Sequence, residues 1–415
     1  MRERRFACDN LFKLPFFILL MERRTYIYIS LITFVIVFFV ALFYFILSGK
    51  PSASPQKISE LEECKVLEYN GENALNFVIF GTKSQAEKYS EYMLNVKPYD
   101  EFKENFNFFY IEPGQYDASQ GCKIYKGIAI LCNERDLIKK AGSCPNDYII
   151  VLQEKSASIR SSAFNQILSI NSVHPLTVLI HELGHGIAKF AEEYVDDSIK
   201  IPRESRNCAA DCAEFDGIEE GCFLGCSDDE HYRSVENGVM RTLSPPEKVM
   251  YGTFNENFMR EKLNSEIDSL FSKITGSISR ITGRATDFGI SCEDEHYFLG
   301  EYEYDSEAGL TLTDSEFVQG CYGSGSMFPG EFAYNLLDEE GEIIFSKSFD
   351  IEFHTVGPGE EVNGLIQIEH EYDEFETFIL KAPVTADIPT WEIVDPQGRY
   401  IQTSLIGTGG RACKI

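Results

Sequence analysis

The chain has 415 residues, 44% hydrophobic and 25% charged, an ordinary globular composition that excludes a wholly disordered protein. A formal net charge of −29 excludes general nucleic-acid binding, because a phosphate backbone would be repelled. The charge is uneven: residues 1–50 hold seven Lys/Arg against three Asp/Glu, and residues 51–415 hold thirty against sixty-three.

Residues 1–24 read as a basic cytoplasmic segment, carrying Arg2, Arg4, Arg5, Lys13, Arg23 and Arg24. Thr25 to Leu47 contains no charge and, at the helical rise, spans about 35 Å, enough for one transmembrane helix. The positive-inside rule then puts the N-terminus in the cytoplasm and the rest outside, as a single-pass protein of the cell membrane. A cleaved signal peptide is the rival reading, but the run is long and no small-residue cleavage site stands out. Met21 is an alternative start. Residues 48–65, with Pro51-Ser-Ala-Ser-Pro55, read as a stalk.

Leu75–Phe80, Phe106–Ile111 and Tyr148–Leu152 are compact apolar runs expected to be buried strands, and Ser84–Leu94 has helical character. Such alternation predicts an α/β layer structure over residues 66–283. Pro175 to about Tyr194 predicts a helix with proline in its first turn. Asn255–Ile281 predicts another, with Phe258, Leu263, Ile267, Leu270 and Ile274 at near-helical spacing. Residues 288–415 change character. Aromatic and β-branched runs at Tyr297–Tyr304, Phe332–Leu337, Ile343–Phe349, Phe375–Leu380 and Trp391–Val394 alternate with turns such as Asp338–Gly341 and Asp395–Gly398. That pattern predicts a separate all-β sandwich, for which substrate docking or spacing is the expected role.

His181-Glu182-Leu183-Gly184-His185 carries the chemistry. On a helix, positions i and i+4 share a face, so both imidazoles can reach one zinc ion. Glu182 is then placed to take a proton from water that zinc acidifies toward a pKa of about 7. A catalytic zinc needs a third protein ligand and one open position. On an unbroken helix, Glu192 would lie about 10 Å further along the axis. A turn after Gly186–Lys189 would return Glu192 or Glu193 to the ion; the alternative is a solvated acidic helix end.

Eleven of the twelve cysteines follow the apolar run, where oxidation is possible. Eleven is odd, so one is left without a partner in the chain. Cys208-x3-Cys212 and Cys222-x3-Cys226 fit either a second, structural zinc or disulfides nested as Cys208–Cys226 and Cys212–Cys222. Cys122, Cys132 and Cys144 offer one bridge and a leftover, and Cys292 could join Cys321.

His181–His185, then eight residues and Tyr194, resembles the HExGH…(A/L)DEY signature of the IgA-peptidase family of zinc metallopeptidases. Tyr148–Leu152 resembles the strand before that family's active-site helix, and Phe77–Gly81 and Phe106–Tyr110 its N-terminal strands. His231–Arg241 resembles its YRP…MR segment. The resemblance covers roughly residues 70–265. It implies a metzincin-like zincin catalytic domain, an α/β (α+β) fold, with Met240 as the methionine turn beneath the metal. Arg241 and Tyr194 would orient ligands or substrate. Glu192 stands where the family has Asp, and Ala188-Lys189 replaces its glycine pair. Together these readings predict a membrane-anchored extracellular zinc endopeptidase acting on proteins or peptides. The alternatives are a catalytically inactive surface ectodomain on a peptidase fold, and a membrane-embedded HExxH peptidase. The latter needs further spans that this chain lacks as apolar runs.

Overall fold

The computed structural model describes residues between Glu63 and Ser404, leaving out 117–120, 197–200, 203–204, 219–220, 247–249, 277–291, 293–295, 306–308, 323–331, 339, 350–359, 363–364, 368–374 and 384–389. The segments expected at 1–24 and 25–47, residues 48–62 of the stalk expected at 48–65, and the domain boundary expected between 283 and 288 lie outside these residues, while the first strand begins at Cys64, inside the expected stalk.

The first half of the described chain runs β1 (Cys64–Glu68), β2 (Leu75–Phe80), α1 (Lys83–Met93), β3 (Phe106–Ile111), β4 (Lys123–Tyr125), β5 (Ala129–Leu131), α2 (Arg135–Ala141), β6 (Tyr148–Gln153), β7 (Ser162–Phe164) and β8 (Ile167–Asn171). There follow α3 (Thr177–Ala188), β9 (Phe223–Cys226), β10 (Asp228–Arg233) and α4 (Thr253–Gly276). A six-stranded sheet has the order β1-β3-β2-β6-β8-β7. Its four inner strands are parallel, and β1 and β7 close the edges antiparallel. Strand β2 is LNFVIF with no exposed residue, and β6 is buried throughout. Continuous apolar runs of this kind belong inside a sheet covered on both faces. Helix α1 starts on a capping box, in which Thr82 Oγ1 accepts the Gln85 N–H and Gln85 Oε1 accepts the Thr82 N–H at 2.9 Å.

The pleat sends Phe77 and Ile79 to one core with α1, α3 and α4, and Val78 and Phe80 to another. That second core contains Leu137 and Ile138 of α2, and also Tyr297, Leu299 and Val318 from the C-terminal half. Those three come from β11 (His296–Asp305) and β12 (Gly309–Gln319). The chain continues with β13 (Phe332–Leu337), β14 (Ile343–Phe349), β15 (Glu360–Val362), β16 (Leu365–Gln367), β17 (Phe375–Pro383), β18 (Thr390–Val394) and β19 (Tyr400–Ser404). The sheets β12-β11-β17 and β14-β13-β18-β19 meet across Trp391, Phe298, Tyr302 and Phe378.

The expected fold, a metzincin-like α/β (α+β) zincin domain plus a separate all-β sandwich behind one transmembrane helix, is corrected. All described residues belong to one compact unit, Ile58–Ile415, of mixed α/β structure with several sheets. No helix among the described residues is long and apolar enough to cross a membrane. The physical reason for the merged architecture lies in β2, β3 and β6. Both of their faces are apolar, and helices cover only part of the second.

Five disulfides join Cys64–Cys144, Cys122–Cys132, Cys208–Cys226, Cys212–Cys222 and Cys292–Cys321. The structural-zinc reading of the 208–226 cysteines is therefore corrected to the nested disulfides. Cys144 is no leftover, because it pairs with Cys64 across 80 residues. Cys8 and Cys413 lie outside the described residues.

Candidate metal centre

Helix α3 lies against β7, β8 and α4, held by buried Leu179, Ile180, Leu183 and Ile187. Met240 packs beneath it. A Cβ on Gly184 would lie 2.5 Å from Met240 Sδ, so glycine is what lets the sulfur approach the helix between the two histidines. Tyr251 donates its hydroxyl to the Ile180 carbonyl, one residue before His181. Helical spacing puts both imidazoles on one face, with ring centroids 4.7 Å apart.

The helix ends at Ala188, and Lys189 adopts the left-handed conformation, φ 57°. A side chain at such a φ is disfavoured, and it occurs where the resembled family has glycine. The turn reverses the chain, and its Phe190 carbonyl accepts from His185 Nδ1 at 2.6 Å. His181 Nδ1 donates to the Val239 carbonyl at 2.9 Å. With both Nδ1 atoms donating, each Nε2 is left with a lone pair directed at the site.

The two Nε2 atoms lie 3.1 Å apart. Glu192 Oε1 stands 3.4 Å from that of His181 and 3.3 Å from that of His185. Among the described residues, His181, His185 and Glu192 are the one group of three that could hold a metal ion. Tetrahedral zinc with bonds of about 2.0–2.1 Å has ligand–ligand edges of about 3.3 Å, so the donor set fits such an ion. Glu192 Oε2 is buried without a hydrogen-bond partner, as is Glu193 Oε2. Electrostatics agree. Burial opposes charge on His181, yet the Glu192 carboxylate raises that imidazole to about 9. Burial would likewise raise Glu192, but the two imidazoles hold it well below the ordinary carboxylate range.

The remaining sequence candidates fall into three positions. Glu182 is buried, 4% exposed, and burial pushes its carboxyl up. Glu193 turns away from the imidazoles: its Oε1 accepts from Asn207 at 3.2 Å and Asn255 at 2.8 Å, and its N–H donates to the Met240 carbonyl. Burial raises it to about 7 despite those two amides. Tyr194 is half-buried and stands close enough for burial and the Glu192 charge to push its hydroxyl well above its ordinary value. Arg241 is exposed and donates to the Glu236 carbonyl, so the structure does not bring it to the site. Arg233 is the buried arginine of that segment, donating to the carbonyls of Leu224, Gly225 and Glu236.

Sequence reasoning missed Arg160, whose charge is felt by both Glu182 and Tyr194, and missed Asn207, Ser227 and Asn255. Isolated polar residues carry no periodicity or spacing to mark them; only the adjacent cysteines flag Asn207 and Ser227. No protein-family model matches the sequence, and no curated protein matches it.

Proposed function

We propose that the protein is a zinc-dependent endopeptidase of an oxidising, extracytosolic compartment, hydrolysing peptide bonds in proteins or peptides. One observation carries this reading: two imidazole Nε2 atoms and one carboxylate oxygen converge at 3.1–3.4 Å, with a buried carboxyl, Glu182, next to the first of them in sequence. The resemblance to the IgA-peptidase zinc metallopeptidases supports it, and five disulfides support the compartment.

Zinc bound there would acidify a water molecule and polarise the scissile carbonyl. His181, His185 and Glu192 would hold the ion, their orientation set by the Val239 and Phe190 carbonyls and the bend at Lys189. Glu182 would take the proton from the attacking water onto its carboxylate. Burial raises that carboxyl toward the range a general base needs. The same carboxyl then delivers the proton to the leaving amine nitrogen. Tyr194, whose hydroxyl interacts with the Glu192 carboxyl, would orient that ligand.

The test uses the purified full chain, assayed for zinc content and for cleavage of a peptide library. His181→Ala should lose metal and hydrolysis together. Glu182→Gln should keep zinc and lose hydrolysis by about 10²–10⁴-fold. Unchanged turnover in Glu182→Gln would sink the mechanism. Zinc retained by a wild-type chain that cleaves nothing would point to a binding ectodomain instead.

A further inference from the structure

The segment carrying Glu192 is gripped from outside by two residues that flank one disulfide. Asn207 is fully buried. Its Oδ1 accepts the Ala191 N–H at 2.8 Å and the Ser205 hydroxyl at 2.6 Å. Its Nδ2 donates to the Ala191 carbonyl at 2.9 Å and to Glu193 Oε1 at 3.2 Å. Ser227, also fully buried, donates its hydroxyl to the Glu192 carbonyl at 2.8 Å, and its own carbonyl accepts the Asp196 N–H at 2.7 Å. The backbone on both sides of Glu192 and at Glu192 itself is therefore fixed by Asn207 and Ser227.

Cys208 directly follows Asn207, Cys226 directly precedes Ser227, and the two cysteines are bonded to each other. Their sulfurs lie 3.6 and 3.9 Å from the Glu192 carbonyl oxygen. Ala191 shares a small buried apolar cluster with them. His181 is oriented separately, through the Val239 carbonyl, whereas the Phe190 carbonyl that orients His185 belongs to the peptide group whose N–H, on Ala191, Asn207 holds. Of the three metal-site residues, Glu192 is the one whose own carbonyl is held by a residue flanking this disulfide.

We propose that the Cys208–Cys226 disulfide is the clasp that keeps Glu192 at ligating reach, with Asn207 and Ser227 as positioning residues. Tight metal retention then depends on this disulfide and not on the neighbouring Cys212–Cys222. The inference rests on the metal-site reading above. Without the clasp, residues separated by 18 positions must be brought together by the loop alone, and the third ligand loses its fixed backbone. Partners that orient a ligand in this way are commonly worth about 10–100-fold in metal affinity.

The experiment measures Zn2+ dissociation constants by chelator competition in the full chain, with thermal unfolding of each metal-free protein alongside. Cys208→Ser/Cys226→Ser should weaken zinc binding by about 10–100-fold, and Cys212→Ser/Cys222→Ser should stay close to wild type. Ser227→Ala, which removes the hydroxyl and leaves the disulfide in place, should weaken binding by about tenfold. A merely structural role would lower metal-free stability while leaving zinc affinity of the folded protein unchanged. If the cysteine variant does not fold, Ser227→Ala decides. Zinc held as tightly by Ser227→Ala as by wild type overturns the clasp alone. A wild-type chain that holds no zinc overturns the metal-site reading and the clasp with it.

Discussion

The two faces of the six-stranded sheet are covered in different ways, and the difference separates chemistry from stability. On the helix face, α3 and α4 bring buried polar groups together: Glu182, Glu192, Glu193 and Asn255 are all at most 8% exposed. Burying such groups is costly unless each finds a partner. Glu193 finds two amides and Glu192 two imidazoles, and each has one oxygen left over. On the opposite face, α2 and β11–β12 supply apolar cover through Leu137, Ile138, Tyr297, Leu299 and Val318. Its ion pairs stay at the rim. The helix face carries the residues that could hold a metal ion; the other face is covered by apolar contacts.

The largest effect expected from this contrast is at Glu192. Glu192→Gln should weaken zinc binding by more than about 100-fold, since it removes a ligand, while Glu193→Gln should cost about tenfold through the backbone it fixes. Chelator competition on both variants checks this. Equal, full zinc retention in the two would place the third ligand elsewhere. Next comes the opposite face. Tyr297 is fully buried, and a Cβ on Gly142 at the end of α2 would lie 2.6 Å from its hydroxyl. Tyr297→Ala should lower stability by about 3–5 kcal/mol in urea unfolding, with zinc affinity of the folded protein unchanged. For the same reason, a chain cut at residue 290 should aggregate. The separate sandwich expected over residues 288–415 overlooked the cover that Tyr297, Leu299 and Val318 supply to β2, β3 and β6.

What could be read from sequence was local. The His181–His185 pair and the strands Leu75–Phe80, Phe106–Ile111 and Phe332–Leu337 were legible because their information lies within a few residues. The choice between Glu192 and Glu193 was not. It depends on the left-handed Lys189 and on partners 14 and 62 residues from Glu193, at Asn207 and Asn255. The same limit hid Cys64 as the partner of Cys144. Strand patterning in residues 288–415 showed apolar faces, but alternation does not say what covers a face. Here part of that face is spent on the six-stranded sheet instead of within a separate sandwich.

A smaller effect is expected from the one lysine near this seam with a shifted amine. Lys381 donates to Asn146 Oδ1 at 2.9 Å, and its ammonium lies 5.7 Å from the Tyr297 ring centre. Burial pushes the amine down to about 8, against the opposing charge of Asp147. Because the folded pKa lies below the unfolded one, the charged amine penalises the folded state up to about pH 8. The penalty is relieved as pH rises toward about 10.4, where the unfolded amine also loses its proton. Stability should therefore gain about 1–3 kcal/mol over that window relative to Lys381→Met. Parallel pH dependence in the two proteins would show that the amine stays solvated.

The smallest effect belongs to the ion pairs at the rim of the same face. Arg135 contacts Asp314 and, at 3.1 Å, Glu316; Lys139 reaches Glu316 at 2.9 Å. These bridges link α2 to β12 directly, so by position they could be mistaken for what joins the two halves of the unit. Their exposure argues otherwise. The Asp314 side chain is 63% exposed and that of Glu316 is 31% exposed, and pairs so close to water are typically worth about 0.2–1 kcal/mol. Arg135→Ala should thus cost no more than about 1 kcal/mol, and the cost should shrink in high salt as the charges are screened. A double-mutant cycle with Asp314→Ala and Glu316→Ala isolates the coupling. A coupling of about 3 kcal/mol that survives high salt, beyond what exposed pairs give, would make this seam electrostatic. The apolar cover by Tyr297, Leu299 and Val318 would then be secondary, and the division between a polar, site-bearing face and an apolar, stabilising face would fail at the point where the two halves meet.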